Sequence, residues 1–420
     1  MRPVELVMVG AGNRGHLAYG AFAERNPEKA KFVAVVEPDD ARRARFANAH
    51  RIPAERQFRS WEEIAGMAPL APALINATLE RQHRASTLAL LAAGYDMLLE
   101  KPMAATAGEC LEIATAAESH GRLLQIAHVL RYAPFFLALR EIITSDRLGA
   151  IVSVDWRENL VYWHFVHSYV RGNWGKTAEG GPMILTKCCH DLDLLVWIFG
   201  RCERLSSSGS LTHFTRDAVG PEIPERCTDG CPIEETCPFF APRVYLDRLR
   251  ENPATFAVAA VTLDRTPEGV MRALETGPYG RCVYRADNDV VDHQVVLMRF
   301  AGGLSVSLTM QGSSHIEGRT VRIDGTRATL LANEARAEME IHDHRTGQVE
   351  RVTRPRGVGG HGGGDDGLMR AFVGAIQGDR GGVLTSARES VASHLMAFAA
   401  EQSRVSGEAV DLDRYRRSVS

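Results

Sequence analysis

Residues 4–15 read VELVMVGAGNRG. A compact, largely apolar run, Val4–Val9, leads directly into Gly10-Ala11-Gly12-Asn13-Arg14-Gly15. The pattern G-x-G-x-x-G is weak alone and gains force where it follows a strand and opens a helix. The first glycine permits a tight turn, the second lets backbone approach a pyrophosphate, and the third lets helix and strand pack closely. The helix start then offers free N–H groups and partial positive charge to phosphates. Glu37 ends the next apolar run, about 20 residues on, where an acid hydrogen-bonds a ribose 2′-OH and repels a 2′-phosphate. This favours NAD over NADP, although Arg42 and Arg43 lie close enough to accept a 2′-phosphate. An ordinary turn and a solvated strand end are the plainer alternative.

Outward from this turn the rhythm continues. Lys31–Val36, Ala73–Thr78, Tyr95–Leu99 and Leu123–Ala127 read as strands, with a helix through Arg84–Ala93 that stops at Gly94. Alternating strands and helices predict a parallel sheet covered on both faces. Beyond about residue 130 the pattern changes. Val152–Glu158 reads as a strand, Val290–Phe300 and Leu304–Gln311 as a hairpin around Ala301-Gly302-Gly303, and Val321–Asp324, Ala328–Leu331 and Ala337–His342 as further strands. Gly357–Gly367 reads as a loop, followed by helices near Leu368–Gln377 and Ala387–Ser403. The expected fold class is therefore α/β: a Rossmann dinucleotide-binding domain over residues 1–130, then an α+β domain over 131–420 with an open, mostly antiparallel sheet and helices on one face.

Length and composition agree. A chain of 420 residues is long for one core and suggests two domains. Hydrophobic residues make up 45% and charged residues 24%, with a formal net charge of −3. No basic block suits nucleic acid. No stretch approaches the roughly 20 apolar residues that span a bilayer, and the N-terminus lacks the pattern of a signal peptide. A cytoplasmic protein is expected, so the eight cysteines read as thiols or metal ligands rather than disulfides.

Glu100-Lys101-Pro102 follows the fourth strand. An N-terminal G-x-G-x-x-G followed some 85 residues later by E-K-P resembles the oxidoreductases related to glucose-fructose oxidoreductase and inositol 2-dehydrogenase. The resemblance covers nearly the whole chain. Thr78 and His83 match the family's segment after the third strand, Arg131–Pro134 its R-[YF]-x-P, His190–Asp193 its H-D-[IL]-D, and His361–Asp365 and Ala399–Ser403 segments of its C-terminal domain. It implies a cofactor site of Gly10, Gly12, Asn13, Arg14, Gly15, Glu37, Thr78, His83, Glu100 and Lys101, with Lys101 between nicotinamide and the reacting hydroxyl. A lysine in a poorly solvated cleft beside a cationic ring has its pKa pushed down and can move a proton or hold a developing oxyanion. The proline could fix its angle through a cis bond; a strand-end lysine in water is the bland reading.

His190 is the second catalytic candidate. Many members carry an aspartate four residues earlier, one helical turn away; here Thr186 stands at that place, which puts an Asp–His relay in doubt. Lys187 could bind an acidic substrate group or pair with Asp191 at i,i+4. The segment Tyr162–Trp174 mixes aromatics, histidines and amides, as sugar recognition requires, and Tyr162, His167, Arg171 and Asn173 are its substrate candidates beside Lys187 and His190. An interface or core loop would have a similar composition.

Cys227, Cys231 and Cys237 lie in a proline-rich, structure-poor stretch, Glu222–Pro242, and suggest a structural zinc with a fourth ligand from Cys188, Cys189 or Cys202. Free thiols are the alternative. The leading function is NAD-dependent oxidation of a secondary hydroxyl of a sugar or cyclitol. The alternative is an NAD-dependent glycoside hydrolase working by oxidation, elimination, water addition and re-reduction, with His164 or His167 as the extra base. A non-catalytic sensor with a dinucleotide fold is the third. Members of the family pair through the open sheet, so a homodimer or homotetramer is expected, with a small sugar, glycoside or cyclitol as ligand.

Overall fold

The computed structural model describes residues 2–253, 255–355 and 357–419. Its first sheet holds β1 (Val4–Val9), β2 (Ala30–Val36), β3 (Gln57–Phe58), β4 (Ala73–Asn76), β5 (Asp96–Leu99) and β6 (Leu124–Ile126), all parallel, in the order β3-β2-β1-β4-β5-β6. Alternate residues of β1 enter different cores: Leu6 and Met8 pack on one face, Val7 and Val9 on the other. That burial on both sides is why the strands of this sheet read as apolar runs. The strand order reverses between β1 and β4, and such a point leaves a crevice beyond the strand ends for a ligand.

The second sheet holds β7 (Ile151–Val161), β8 (Cys202–Ser210), β9 (His293–Phe300), β10 (Ser305–Ser314), β11 (Gly318–Gly325), β12 (Ala328–Asn333), β13 (Glu338–Asp343), β14 (Val349–Thr353) and β15 (Val410–Asp411). Their order is β14-β13-β12-β11-β7-β10-β9-β8-β15, antiparallel except for the parallel pair β7–β10. The fold is thus a Rossmann domain followed by a domain with a mostly antiparallel sheet. The hairpin expected at Ala301–Gly303 forms, its glycines at φ +81° and +89°. Along β9, Gln294, Val296 and Met298 face the core, while Val295 and Leu297 point outward. With Leu331 and Val349 they leave apolar side chains on the open face.

The helix Ala387–Ser406 joins the two halves. Ser386 and Glu389 close its start as a capping box. It packs on the helix Cys189–Phe199 and β8 on one side, and on the helix Ala107–Ser119 and β6 on the other. Arg131, just after β6, makes the polar connection: its Nε and Nη2 donate to Asp193 at 2.7 and 2.6 Å, and Nη1 donates to Leu384 O at 2.7 Å.

Several elements differ from the sequence reading. The helix expected from Leu368 begins at Gly364, inside the glycine run, because Gly363 turns the chain at φ +97° and Asp365 and Asp366 suit a helix start. Strand β8 was not legible, since CERLSSSGS lacks apolar alternation. Helices Ala241–Glu251, Phe256–Val261 and Pro267–Thr276 follow the proline-rich stretch and share a small core of their own around Tyr245, Val258 and Leu274. Among the described residues no helix is long and apolar enough to cross a membrane.

The Arg131 and Asp193 side chains are 4% and 1% exposed. Removing one member of such a pair strands a charge in the core. Arg131→Met is expected to lower stability by about 3–5 kcal/mol, read as a shifted urea midpoint, with Arg131→Lys recovering part of it.

Candidate active site

The glycine turn lies at the strand reversal. Gly10 has φ +91°, and a Cβ there would sit 2.4 Å from Ala77 O; one on Gly15 would sit 2.2 Å from Gly10 O. A Cβ on Gly12 would meet nothing within 4 Å. Two glycines therefore permit close packing, and the middle one faces open space, as the approach of a pyrophosphate requires. The Glu37 carboxylate, 5% exposed, accepts from Ala11 N–H at 2.8 Å and Asp39 N–H at 3.1 Å. It anchors the turn to the end of β2. Arg43 is tied to Glu37 O and to Asp40, while Arg42 is exposed. These residues fit a dinucleotide.

Other expected cofactor residues also make structural contacts. Arg14 Nε donates to Glu100 at 2.6 Å, and its fork binds Asp365 at 2.9 and 3.0 Å. Glu100 also accepts from Tyr19 OH at 2.5 Å and from Lys101 N–H at 3.0 Å. Arg14 and Glu100 thus tie the glycine-turn helix and the end of β5 to the second domain. His83 is 1% exposed, its ring nitrogens 2.8 Å from Pro102 O and 3.1 Å from Thr78 O, so it braces the Lys101 loop from below. Thr78 Oγ1 donates to Asn76. Asn13 Nδ2 reaches Phe256 O at 3.4 Å, so the small helical unit touches the glycine turn.

Lys101 precedes a cis peptide bond to Pro102, and its Nζ donates to Thr186 O at 3.0 Å. That carbonyl belongs to the second domain, four residues before His190. The expected single helical turn from Thr186 to His190 does not form: the helix Met183–Thr186 ends, Lys187 and Cys188 intervene, and a new helix runs Cys189–Phe199. Thr186 contributes its carbonyl, while its hydroxyl donates to Pro182 O. His190 is 5% exposed, neither ring nitrogen has a hydrogen-bond partner, and the rings of His128 and His361 each lie 5.8 Å away. Burial, and then the Lys101 charge, hold His190 well below the usual histidine value.

Lys187 does not pair with Asp191. It lies 3.0 Å from Glu158 and 3.5 Å from Glu317, whereas Asp191 takes Trp156 Nε1 at 2.8 Å and Arg319 Nε at 2.9 Å. Burial pushes Glu158 up to about 7. Against the cost of its own burial, Lys187 and His164 hold Glu317 down at about 2. His164 Nδ1 is 3.0 Å from Glu317, which is 44% exposed. Tyr162 and Asn173 are exposed. Glu317 and His128 escaped the sequence reading, and His361 was read only as part of a matching segment: Glu317 sits in the connection from β10 to β11 with no motif, and only the fold brings the histidines to His190.

Two loop candidates point elsewhere. Arg171 is 1% exposed and donates to Arg281 O and Phe239 O, both at 2.7 Å, and to Cys227 Sγ at 3.4 Å. His167 is 4% exposed, bonds Tyr245 OH at 3.0 Å and stacks on Tyr279. His167 thus holds the small helical unit, and Arg171 the stretches that flank it. The zinc reading also fails on geometry: among the described residues no group of three His, Cys, Asp or Glu side chains is arranged to hold a metal. Cys227 and Cys231 act on Cys237, whereas the neighbours acting on Cys188 and Cys189 are Asp191 and Lys101, and burial pushes Cys189 and Cys202 up to about 12, away from thiolate.

Residues 4–128 match the family model described as oxidoreductase family, NAD-binding Rossmann fold, and residues 140–412 that of the same family's C-terminal alpha/beta domain. YteT of Bacillus subtilis is 26% identical over 290 residues, 65% of each chain. Trans-1,2-dihydrobenzene-1,2-diol dehydrogenase of Bos taurus is 32% identical over 181 residues, 42% of this chain and 51% of that enzyme. The chain thus matches about two thirds and about half of these relatives' lengths. In fold it is similar to an oxidoreductase from Agrobacterium radiobacter solved with NAD+, L-tartaric acid and magnesium, with TM-score 0.70, 13% identity and coverage of 98% and 99% of the two chains.

His128, His167, His190 and His394 all have pKa values depressed by burial, His167 and His394 to about 3. Unfolded histidines take up protons near pH 6.5 and these do not, so their contribution to stability is present above that value and lost below it. Glu158, near 7 when folded, offsets one proton of this difference. Unfolding free energy is expected to fall between pH 7 and pH 5, by up to about 1.4 kcal/mol per pH unit for each uncompensated histidine, measured by urea titration. A flat profile would contradict the buried neutral imidazoles.

Proposed function

The chain belongs to this NAD-binding oxidoreductase family, and from that premise we propose that it oxidises a secondary hydroxyl of a sugar or cyclitol, with NAD as acceptor. The observation that carries the reading is the meeting of Lys101 and His190. One comes from the end of the Rossmann sheet, the other from the second domain, and the lysine is held by the carbonyl of Thr186 beside a histidine with unbonded nitrogens. Bound along the open side of Gly12 and Glu37, NAD would supply the hydride acceptor. The chain's own residues handle the proton: the hydroxyl loses it to His190 as the carbonyl forms, and Lys101 stabilises the charge developing on oxygen.

The outer cleft suits a polyol. Tyr162 offers an aromatic face, and Lys187, Glu317 and His164 can read hydroxyls. The cattle relative's name describes a vicinal diol, a feature that sugars and cyclitols share. Glu37 favours NAD over NADP, with Arg43 bound to backbone rather than free. The eight free cysteines accord with a reducing cytoplasm. Copies of the chain would pair through the apolar outer face of the second sheet into a homodimer or homotetramer.

A second reading is favoured by the pair Glu317–His164, a base beyond the Lys101–His190 pair. NAD-dependent glycoside hydrolysis needs such a group to remove the proton next to the new ketone. The deciding assay follows NADH absorbance and aglycone release together, with NAD and a panel of free sugars, cyclitols and chromogenic glycosides. NADH accumulation without aglycone supports the dehydrogenase; aglycone release without net NADH supports the hydrolase. In either case Lys101→Ala is expected to lower kcat by about 10²–10⁴-fold, and undiminished turnover would remove Lys101 from the chemistry. Glu37→Gln is expected to raise the ratio of NADP to NAD affinity about tenfold by easing charge repulsion, measured by fluorescence titration of the reduced dinucleotides.

A further inference from the structure

Behind His190 lies a set of buried polar groups that the proton chemistry above does not use. His128 is 0% exposed, and neither of its ring nitrogens has a hydrogen-bond partner. Its ring meets that of His190 nearly edge-on, at 76° and 5.8 Å between centroids, and that of His394 at 5.4 Å. Its Nε2 is 3.7 Å from Asp193 Oδ1. The other charged groups acting on it are Arg131, Lys101 and Glu100.

Hydrogen-bond bookkeeping fixes which neighbours His128 can use. His394 Nδ1 lies 2.7 Å from Ser390 O, an acceptor, so this nitrogen carries the proton. His394 Nε2 accepts from Met103 N–H at 2.9 Å. Both nitrogens of His394 are therefore engaged, and it offers His128 nothing. Asp193 is an acceptor only, and Arg131 already balances its charge. A neutral His128 can therefore turn its Nε2–H only toward Asp193, 3.7 Å away and reached by a small shift or one water, which leaves Nδ1 as an acceptor.

We propose that His128 is the positioning residue of this site: its Nε2–H engages Asp193 once the 3.7 Å gap closes or a water bridges it, and its Nδ1 accepts, directly or through one water, the single N–H of neutral His190. The other nitrogen of His190 is then left as a bare lone pair facing Lys101 and the cleft. Arg131 makes this arrangement work by cancelling the Asp193 charge, so the pair orients His128 without making it an imidazolium. Directionality runs from Asp193 outward, and the proton acceptor is set by tautomer rather than by a carboxylate next to it. This inference rests on the reading of His190 as the proton acceptor.

The test is ¹⁵N NMR of histidine-labelled protein saturated with NADH, with His128 and His190 assigned from His128→Leu and His190→Ala, alongside kinetics on the substrate found by the panel assay. Wild type is expected to show His128 as the Nε2–H tautomer and His190 as one neutral tautomer. In His128→Leu the His190 signals should move toward a mixture of tautomers, and kcat should fall about tenfold or more with KM and NADH affinity unchanged. His128→Asn, which can still donate and accept, should recover most of both. An Nδ1–H tautomer at His128 in wild type overturns the inference without any variant, should His128→Leu fail to fold. So do wild-type kcat and His190 signals in folded His128→Leu. Full turnover in His190→Ala would instead sink the functional reading, and would leave the tautomer result standing.

Discussion

The two-pronged bond between Arg131 and Asp193 is the constraint on which the site depends. Arg131 follows β6, the last strand of the first sheet; Asp193 lies one turn beyond His190 on the helix that crosses the second. A buried ion pair adds little net stability, because both charges give up water, but it penalises any arrangement that separates them. Here it sets the height and rotation of the His190 helix relative to the Lys101 loop. The third hydrogen bond of Arg131, to Leu384 O, brings the start of the long helix Ala387–Ser406 into the same register.

Around that fixed point the cleft is composite. Its cofactor side comes from β1, β2 and the glycine turn, whose tight contacts leave only Gly12 open. The proposed reacting groups come from both domains, and the proposed outer wall from β7 and the β10–β11 connection. Charges are paired in depth: Arg319 sits between Glu158 and Asp191, and Lys187 between Glu158 and Glu317. The network keeps charged side chains ordered near the cleft while His190 stays neutral. An imidazole among cations is a proton acceptor over a wide pH range, because protonating it is disfavoured by burial and by its neighbours alike.

Three candidate ligands that the structure engages in packing share a physical reason. Arg171, His167 and Cys227 occur in polar, aromatic-rich sequence, which is what both a binding loop and a small helical core require. The three short helices bury only a small shared core. That core is supplemented by polar contacts in the flanking stretches, where the Arg171 guanidinium is bound to two carbonyls and a thiol.

Local sequence determined the parts whose physics is local. The glycine turn, the alternation of strands and helices, the hairpin at Gly302 and Gly303, and the lysine before a proline were all legible, because each depends on backbone conformation or periodicity within a few residues. The family resemblance added His190. Tertiary structure alone decided that Arg14 and Glu100 tie domains together, that Lys187 pairs with Glu158 rather than Asp191, and that a break at Lys187–Cys188 separates Thr186 from His190. It also brought His128 and His361 to His190, and Glu317 to Lys187, from positions far apart in the chain. Which acid meets which base in a buried site depends on how two sheets and a shared helix pack, and that is a property of the whole chain rather than of any stretch of it.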